Sequence, residues 1–303
     1  MRHALGVGDG AMEAIEAGMG RFDHVDWRLI GVAVVVQLLG SCCHARAWAN
    51  LLQAARPDSR VPRGAVLCAH LAGVAGNAVA PAHAGDAAKV VLIRRAMPGT
   101  AIATIVTTLL MLTAVDVVLG GGALLATATT SLGPAVPRPS GTGLLIPVAL
   151  VAAAGVGAVF ARPRLAGVLE HMRQGAALLN RPGRFLREAV SWQFAAWLAR
   201  VGVAFIALHA FGLPASLLDA VLVVVVTGLA GVIPFLPGGF GAQQAMLVYA
   251  LRKTASAASV LAFGVGMQLG VTLIDLTVGT LALVISFRTL AVRDALRASR
   301  RPA

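Results

Sequence analysis

Long apolar stretches recur along this chain, separated by short connectors rich in arginine. Residues 27–52, 100–127, 142–161, 189–211 and 256–287 are each long enough to cross a hydrocarbon core about 30 Å thick as a helix. This pattern leaves few folding options, because backbone amides inside lipid must pair within their own segment or within a closed barrel. Composition points the same way. Of the 303 residues, 58% are apolar and 13% charged, against about 25% charged in soluble domains. That balance excludes a disordered chain, a coiled coil and a disulfide scaffold, and it argues against an ordinary soluble enzyme, whose surface needs more charge. The expected class is an all-α polytopic membrane protein.

The formal net charge of +12 does not indicate nucleic acid. The basic residues lie between the apolar stretches, and no aromatic platform or RNA motif accompanies them. Cys42, Cys43 and Cys68 sit among apolar neighbours and read as small membrane-embedded hydrophobes. Residues 1–26 form a separate N-terminal segment. There Met12, Ile15, Met19 and Phe22 recur at helical spacing opposite Glu13 and Glu16, as in a helix lying on a membrane surface. That stretch has no apolar core, so no signal peptide is expected. Residues 27–287 form the membrane domain, and 288–303 a basic tail.

Charge sets the orientation. Segments 53–64, 86–99, 162–188 and 288–303 hold 17 Lys and Arg, against five on the opposite side. Cytoplasmic loops carry the excess of positive charge, so the C-terminus is expected in the cytoplasm. Arg252 and Lys253 fall on the other side and are assigned to snorkelling.

Two segments do not read as clean spans. Residues 65–97 are broken around Asn77, Pro81, Gly85 and Asp86. Residues 217–252 are broken around Pro237, Gly238, Gly239, Gly241 and Gln244. Gly and Pro at membrane depth free backbone groups and start a new half-helix, whose N-terminus suits phosphate or carboxylate. Each break lies between two spans, and residues 112–120 echo 271–279, with Asp four positions before Gly in both. The expected architecture is an inverted repeat with two broken re-entrant helical hairpins and a binding site between the copies.

Asp116, Arg200 and Asp275 sit inside predicted spans, where a charge costs at least about 2.5–3.5 kcal/mol. One reading is a polar pathway, in which Arg200 binds an anionic headgroup and the aspartates balance it or relay protons. The other is a structural ion pair locking helices together. Gln193, Trp197 and Arg200 share one helix face, which is expected to point inward. Lys89, Arg94 and Arg95 follow the first break and are expected to attract an anion at the inner leaflet. His83 beside Asp86 is too small a set for a metal site, His209 reads as interfacial, and Gly266 with Gly270 as a helix-packing pair. With no Walker loop, nucleophile elbow or zinc motif, neither enzymatic activity, a cofactor nor a metal is expected.

Several of these residues fall in a familiar order. Arg46-Ala47-Trp48-Ala49-Asn50, then Asn77, Pro81, Gly85 and Asp86, then Leu236-Pro237-Gly238-Gly239-Phe240-Gly241-Ala242-Gln243-Gln244 resemble the lysylphosphatidylglycerol synthase transmembrane region family, also called flippase-like. Asp116 falls where that family carries an Asp after its first hairpin. The resemblance covers residues 27–287. It implies a bacterial inner-membrane protein that moves lipids or lipid-linked groups between leaflets. The substrate would be an anionic phospholipid, a glycolipid or a polyprenyl- or hopanoid-type lipid, and a lipid- or glycan-modifying enzyme or a second copy of the chain could be a partner. Gln244 stands where the family has Glu, Gln268 where it tends to have Arg, and Leu112 and Thr113 where charged residues are usual. This thinner charge network implies a changed substrate or a lost activity. Two alternatives stay open: a proton-coupled carrier of a small anionic solute, and a non-transporting membrane partner of a modifying enzyme.

Overall fold

The structure is a computed structural model, and it describes residues 25–80, 84–130, 162–231 and 241–298. The N-terminal amphipathic segment, Pro81, His83, the 142–161 span, Pro237, Gly238 and Gly239 lie outside those residues. The described chain is helical, without strands. In chain order the helices are α1 (Trp27–Ala55), α2 (Arg63–Val79), α3 (Ala84–Ala96), α4 (Ile102–Thr130) and α5 (Arg162–Gly175). Pro182–Phe185, a π-turn at Leu186–Val190 and Ser191–Ala210 continue as one rod, α6. Then come α7 (Leu217–Gly231), α8 (Ala242–Ala250) and α9 (Ala257–Ala298). Four helices among the described residues are long and apolar enough to cross a membrane: Trp27–Ala55, Ile102–Thr127, Pro182–Ala210 and Ala257–Ser286. The protein is an all-α, multi-pass membrane protein.

Helix α1 starts where Asp26 caps it, its carboxylate accepting from the backbone N–H groups of Arg28 and Leu29. It ends at Arg56, where the Gln53 side chain folds the next turn. Its amide donates to the carbonyls of Arg56 and Ser59, and its oxygen accepts from Val61 N–H. The most extensive packing joins α1 to α6, which runs antiparallel. Asp26 N–H reaches the Ala210 carbonyl at one end, and Asn50 Nδ2 reaches the Glu188 carbonyl at the other. Between them Gly40 meets the Ala199 side chain so closely that a β-carbon would not fit without a shift. Small residues permit such backbone approach, from which helices in lipid gain dispersion contacts.

Two apolar cores result. One gathers Trp48, Leu52, Val66, Ile93, Ile105 and Leu112 from α1 to α4. The other gathers Ala204, Leu208, Val223, Leu247 and Phe263 from α6 to α9. Trp48 is fully buried in the first, and its indole N–H donates to Thr108 at 3.0 Å, which satisfies the only polar atom the side chain brings inside.

Both interrupted segments become pairs of short helices. Helices α2 and α3 lie antiparallel in close contact, with Gly76 against Gly85 and Gly73 under the Lys89 stem. Helix α2 also packs along α9, where Gly279 sits against Ala75 and the Leu71 carbonyl. Helices α7 and α8 pack on each other, and α8 packs on α9. The last helix runs to Ala298, well past residue 287, where the sequence reading ended the span. Ala, Leu and Arg sustain helix in that extension.

Candidate functional site

The Asn77, Gly85 and Asp86 pattern closes on itself. Asn77 occupies the last turn of α2, and Gly85 and Asp86 the first turn of α3. Gly85 N–H donates to Asn77 Oδ1 at 2.8 Å, and Asn77 Nδ2 donates to Asp86 Oδ1 at 3.4 Å. Lys89 Nζ completes the clasp, donating to Asp86 Oδ1 at 2.7 Å. The Asn side chain thus serves an otherwise free N–H at a helix start, and Gly85 has no room for a β-carbon against Asn77 and the Gly73 carbonyl. Lys89, read from sequence as an attractor of anions, is instead buried and neutralised by Asp86. Arg94 and Arg95 remain exposed in the last turn of α3, where cations oppose the helix dipole favourably.

Deeper in the spans, Arg200 of α6 donates to the Asp116 carboxylate of α4. The side chains keep 43% and 27% of their surface, so the pair lines an accessible face rather than a sealed core. Gln193, two turns earlier on α6, is wholly buried with neither amide atom hydrogen-bonded, and Trp197 is half-buried. The face expected to point inward does so at Gln193 and opens at Arg200. Asp275 does not join this pair; its polar neighbour is Gln37 of α1. Gln268 is partly buried two turns before Asp275 on α9.

Beyond the second break, Gly241 adopts φ +86° and its N–H donates to Gln244 Oε1 at 2.6 Å. The Gln244 amide oxygen thus caps α8 without bringing a charge inside. The neighbouring Gln243 is buried too.

Sequence reasoning missed three features. His44 of α1 stacks on His70 of α2. Arg46 lies 5.8 Å from the centre of the Trp192 ring. A cavity of about 250 Å³ opens between α1, α6 and α9, lined by Trp27, Ala33, Gln37, Phe211, Gly266 and Gly270 among others. The Gly266 and Gly270 pair was the one available signal for the cavity: Gly270 has open space where a β-carbon would stand. His209, read as interfacial, is exposed and bonds the Phe205 carbonyl through its ring nitrogen. Among the described residues no group of three His, Cys, Asp or Glu is placed to hold a metal ion.

The profile of the lysylphosphatidylglycerol synthase TM region family matches residues 15–286. The chain belongs to that family. No curated protein and no solved structure gives a significant match. Within the family's range lie both helix pairs and the Arg200–Asp116 ion pair, so the polar groups described above are features of the matched region rather than of an appended segment.

Proposed function

We propose that this chain moves an anionic or glycosylated lipid headgroup between the leaflets of a bacterial inner membrane, acting as a transporter and not as an enzyme. Membership of the family supports a role connected with membrane lipids. The observation that carries the finer reading is the Arg200–Asp116 pair, which sits within two spanning helices and remains part-exposed. Enclosing an ion pair costs desolvation that its attraction repays only with good geometry and further hydrogen bonds. An open pair can exchange its internal partner for a phosphate, since a guanidinium binds phosphate and carboxylate by the same fork geometry.

In this reading α2–α3 and α7–α8 are re-entrant hairpins of an inverted repeat, and the headgroup passes between them. Arg94 and Arg95 draw anionic lipid to the cytoplasmic surface. Gly241, with open space where a β-carbon would stand, permits close backbone approach, and Asp116 and Asp275 supply counter-charge. The acyl chains stay in lipid. The basic C-terminus is cytoplasmic, and a modifying enzyme or a second copy is the natural partner.

The test is reconstitution into vesicles carrying a fluorescent phosphatidylglycerol, with a membrane-impermeant quencher reporting the outer leaflet. Wild type should equilibrate the leaflets, and Arg200→Ala should insert normally without doing so. Equal rates in the two proteins would remove Arg200 from the path.

A further inference from the structure

The cavity of about 250 Å³ between α1, α6 and α9 takes no part in the ion pair, the clasp or the α8 cap. Its walls follow one slab of the bundle. The stretch from Val25 to Gln37 on α1 faces Val203 to Phe211 on α6 and Gly266 to Ile274 on α9. Helices α1 and α6 pack along their length, whereas α9 packs on α2 and α8 and only sparsely on α6. A wedge therefore stays open between the three. Ala33 and Ala207 keep two walls thin, and a β-carbon on Gly270 would stand in open space, so this glycine makes room rather than drawing helices together. Apart from Gln37 the lining is apolar. Gln37, with Asp275 as its polar neighbour, marks the deep end. Leu269 and Leu273 are exposed at the rim, so the cavity opens sideways.

We propose that this cavity seats one acyl chain of an anionic phospholipid from the leaflet at the Trp27 end. Depth is the first argument. Trp27 to Gln37 is ten residues, about 15 Å of helix rise, which is half of a hydrocarbon core about 30 Å thick. The cavity is thus as deep as the chains of one leaflet. The medium is the second argument. All three helices are long and apolar enough to span, so hydrocarbon and not water reaches the rim. An apolar cavity of about 150 Å³ in a soluble protein stays dry and takes up benzene. This larger one, open to lipid, fills with an alkyl chain and regains the dispersion contacts that an empty wall forfeits. Charge is the third. Trp27 is 69% exposed at the mouth, as indoles are at headgroup level. Arg28 beside it is exposed and offers a cation to a phosphate, while the Asp26 carboxylate is taken up by the backbone N–H groups of α1. The chain never leaves hydrocarbon, and the seat does not rest on the proposed lipid movement.

Photolabelling tests it. The full-length protein in nanodiscs is irradiated with phosphatidylglycerol carrying a diazirine either near the glycerol or near the chain end, and the attached peptides are located by mass spectrometry. The upper label should attach around Trp27 and Phe211, and the lower one around Gln37 and Ile274. Gly270→Leu and Leu273→Trp narrow the cavity at positions with open space, so both should melt near the wild-type temperature. Each should cut the lower labelling several-fold and leave labelling of the exposed Val117 and Val118 on α4 unchanged. Arg28→Gln should lower phosphatidylglycerol labelling about fivefold, as expected for one cation near an anionic headgroup, to the level given by a phosphatidylcholine probe. Label spread evenly over the cavity and the Val117–Val118 face would overturn the proposal. So would a reversed depth order, indifference to both narrowing variants, or equal labelling by the two lipids. Leaflet exchange is not read in this assay, so a protein that moves no lipid but labels in this pattern counts against the proposed function alone.

Discussion

Arg200 of α6 and Asp116 of α4 form an ion pair although 84 positions separate them in the chain. Asp116 is the one charged side chain of Ile102–Thr127, and Arg200 the one Lys, Arg, Asp or Glu of Ser191–Ala210, the further charges Arg184, Arg187 and Glu188 of that spanning helix falling in its first turns. Removing one partner strands the other in a medium that solvates it poorly. Asp116→Ala should therefore lower stability by about 1–3 kcal/mol, less than for a sealed pair because both side chains are part-exposed. The double variant Asp116→Ala/Arg200→Ala should recover much of that loss and yet move no lipid. Thermal melting of detergent-purified protein, read beside vesicle transport, separates the two effects. Recovery of transport in the double variant would make the pair structural.

Gly85 makes the tightest contact of the α2–α3 junction. A β-carbon there meets the Gly73 carbonyl oxygen and the Asn77 side chain, neither of which can retreat without breaking helix or clasp. Gly85→Ala should cost about 1–3 kcal/mol by overpacking. Gly120→Ala, with open space around it, is the matched control and should melt at or slightly above the wild-type temperature.

The α8 cap gives an independent prediction. Gln244→Leu leaves the Gly241 N–H without its acceptor, at a cost of about 1 kcal/mol. Gly241→Ala forces a side chain into positive φ, at a cost of about 1–2 kcal/mol. Unfolding by temperature should show both losses, and the double variant should lose less than their sum because one turn is involved in each.

Gly279 tests the contact that ties the first helix pair to α9. Its β-carbon position is occupied by Ala75 and the Leu71 carbonyl, so Gly279→Val should separate α2 from α9. Cysteine cross-linking between the two helices, efficient in wild type, should fall several-fold.

The fold was legible wherever one physical rule dominated. Lipid demands long apolar helices, and the stretches at 27–52, 100–127, 189–211 and 256–287 reappear as spanning helices. Of the break residues that the structure describes, Gly85 falls in the first turn of α3 and Gly241 caps α8. The site was legible in part. Solitary charges at depth must find partners, which anticipated Asp116 beside Arg200 but not Asp275 beside Gln37, since composition carries no register between helices. The Lys89–Asp86 bond could have been read from its i, i+3 spacing. The His44–His70 stack could not, because it depends on how α1 and α2 align after the turn at Gln53. Gln244 shows a further limit: it reads in sequence only as an absent charge, whereas in the structure its amide oxygen accepts from Gly241 N–H and caps α8.

Native mass spectrometry of the detergent-purified protein tests the central claim most directly, with Arg200→Ala as the comparison. A headgroup site at the Arg200–Asp116 pair predicts a defined anionic or glycosylated lipid retained by wild type and lost from the variant. Bulk phospholipid alone, bound equally by both proteins, would contradict it.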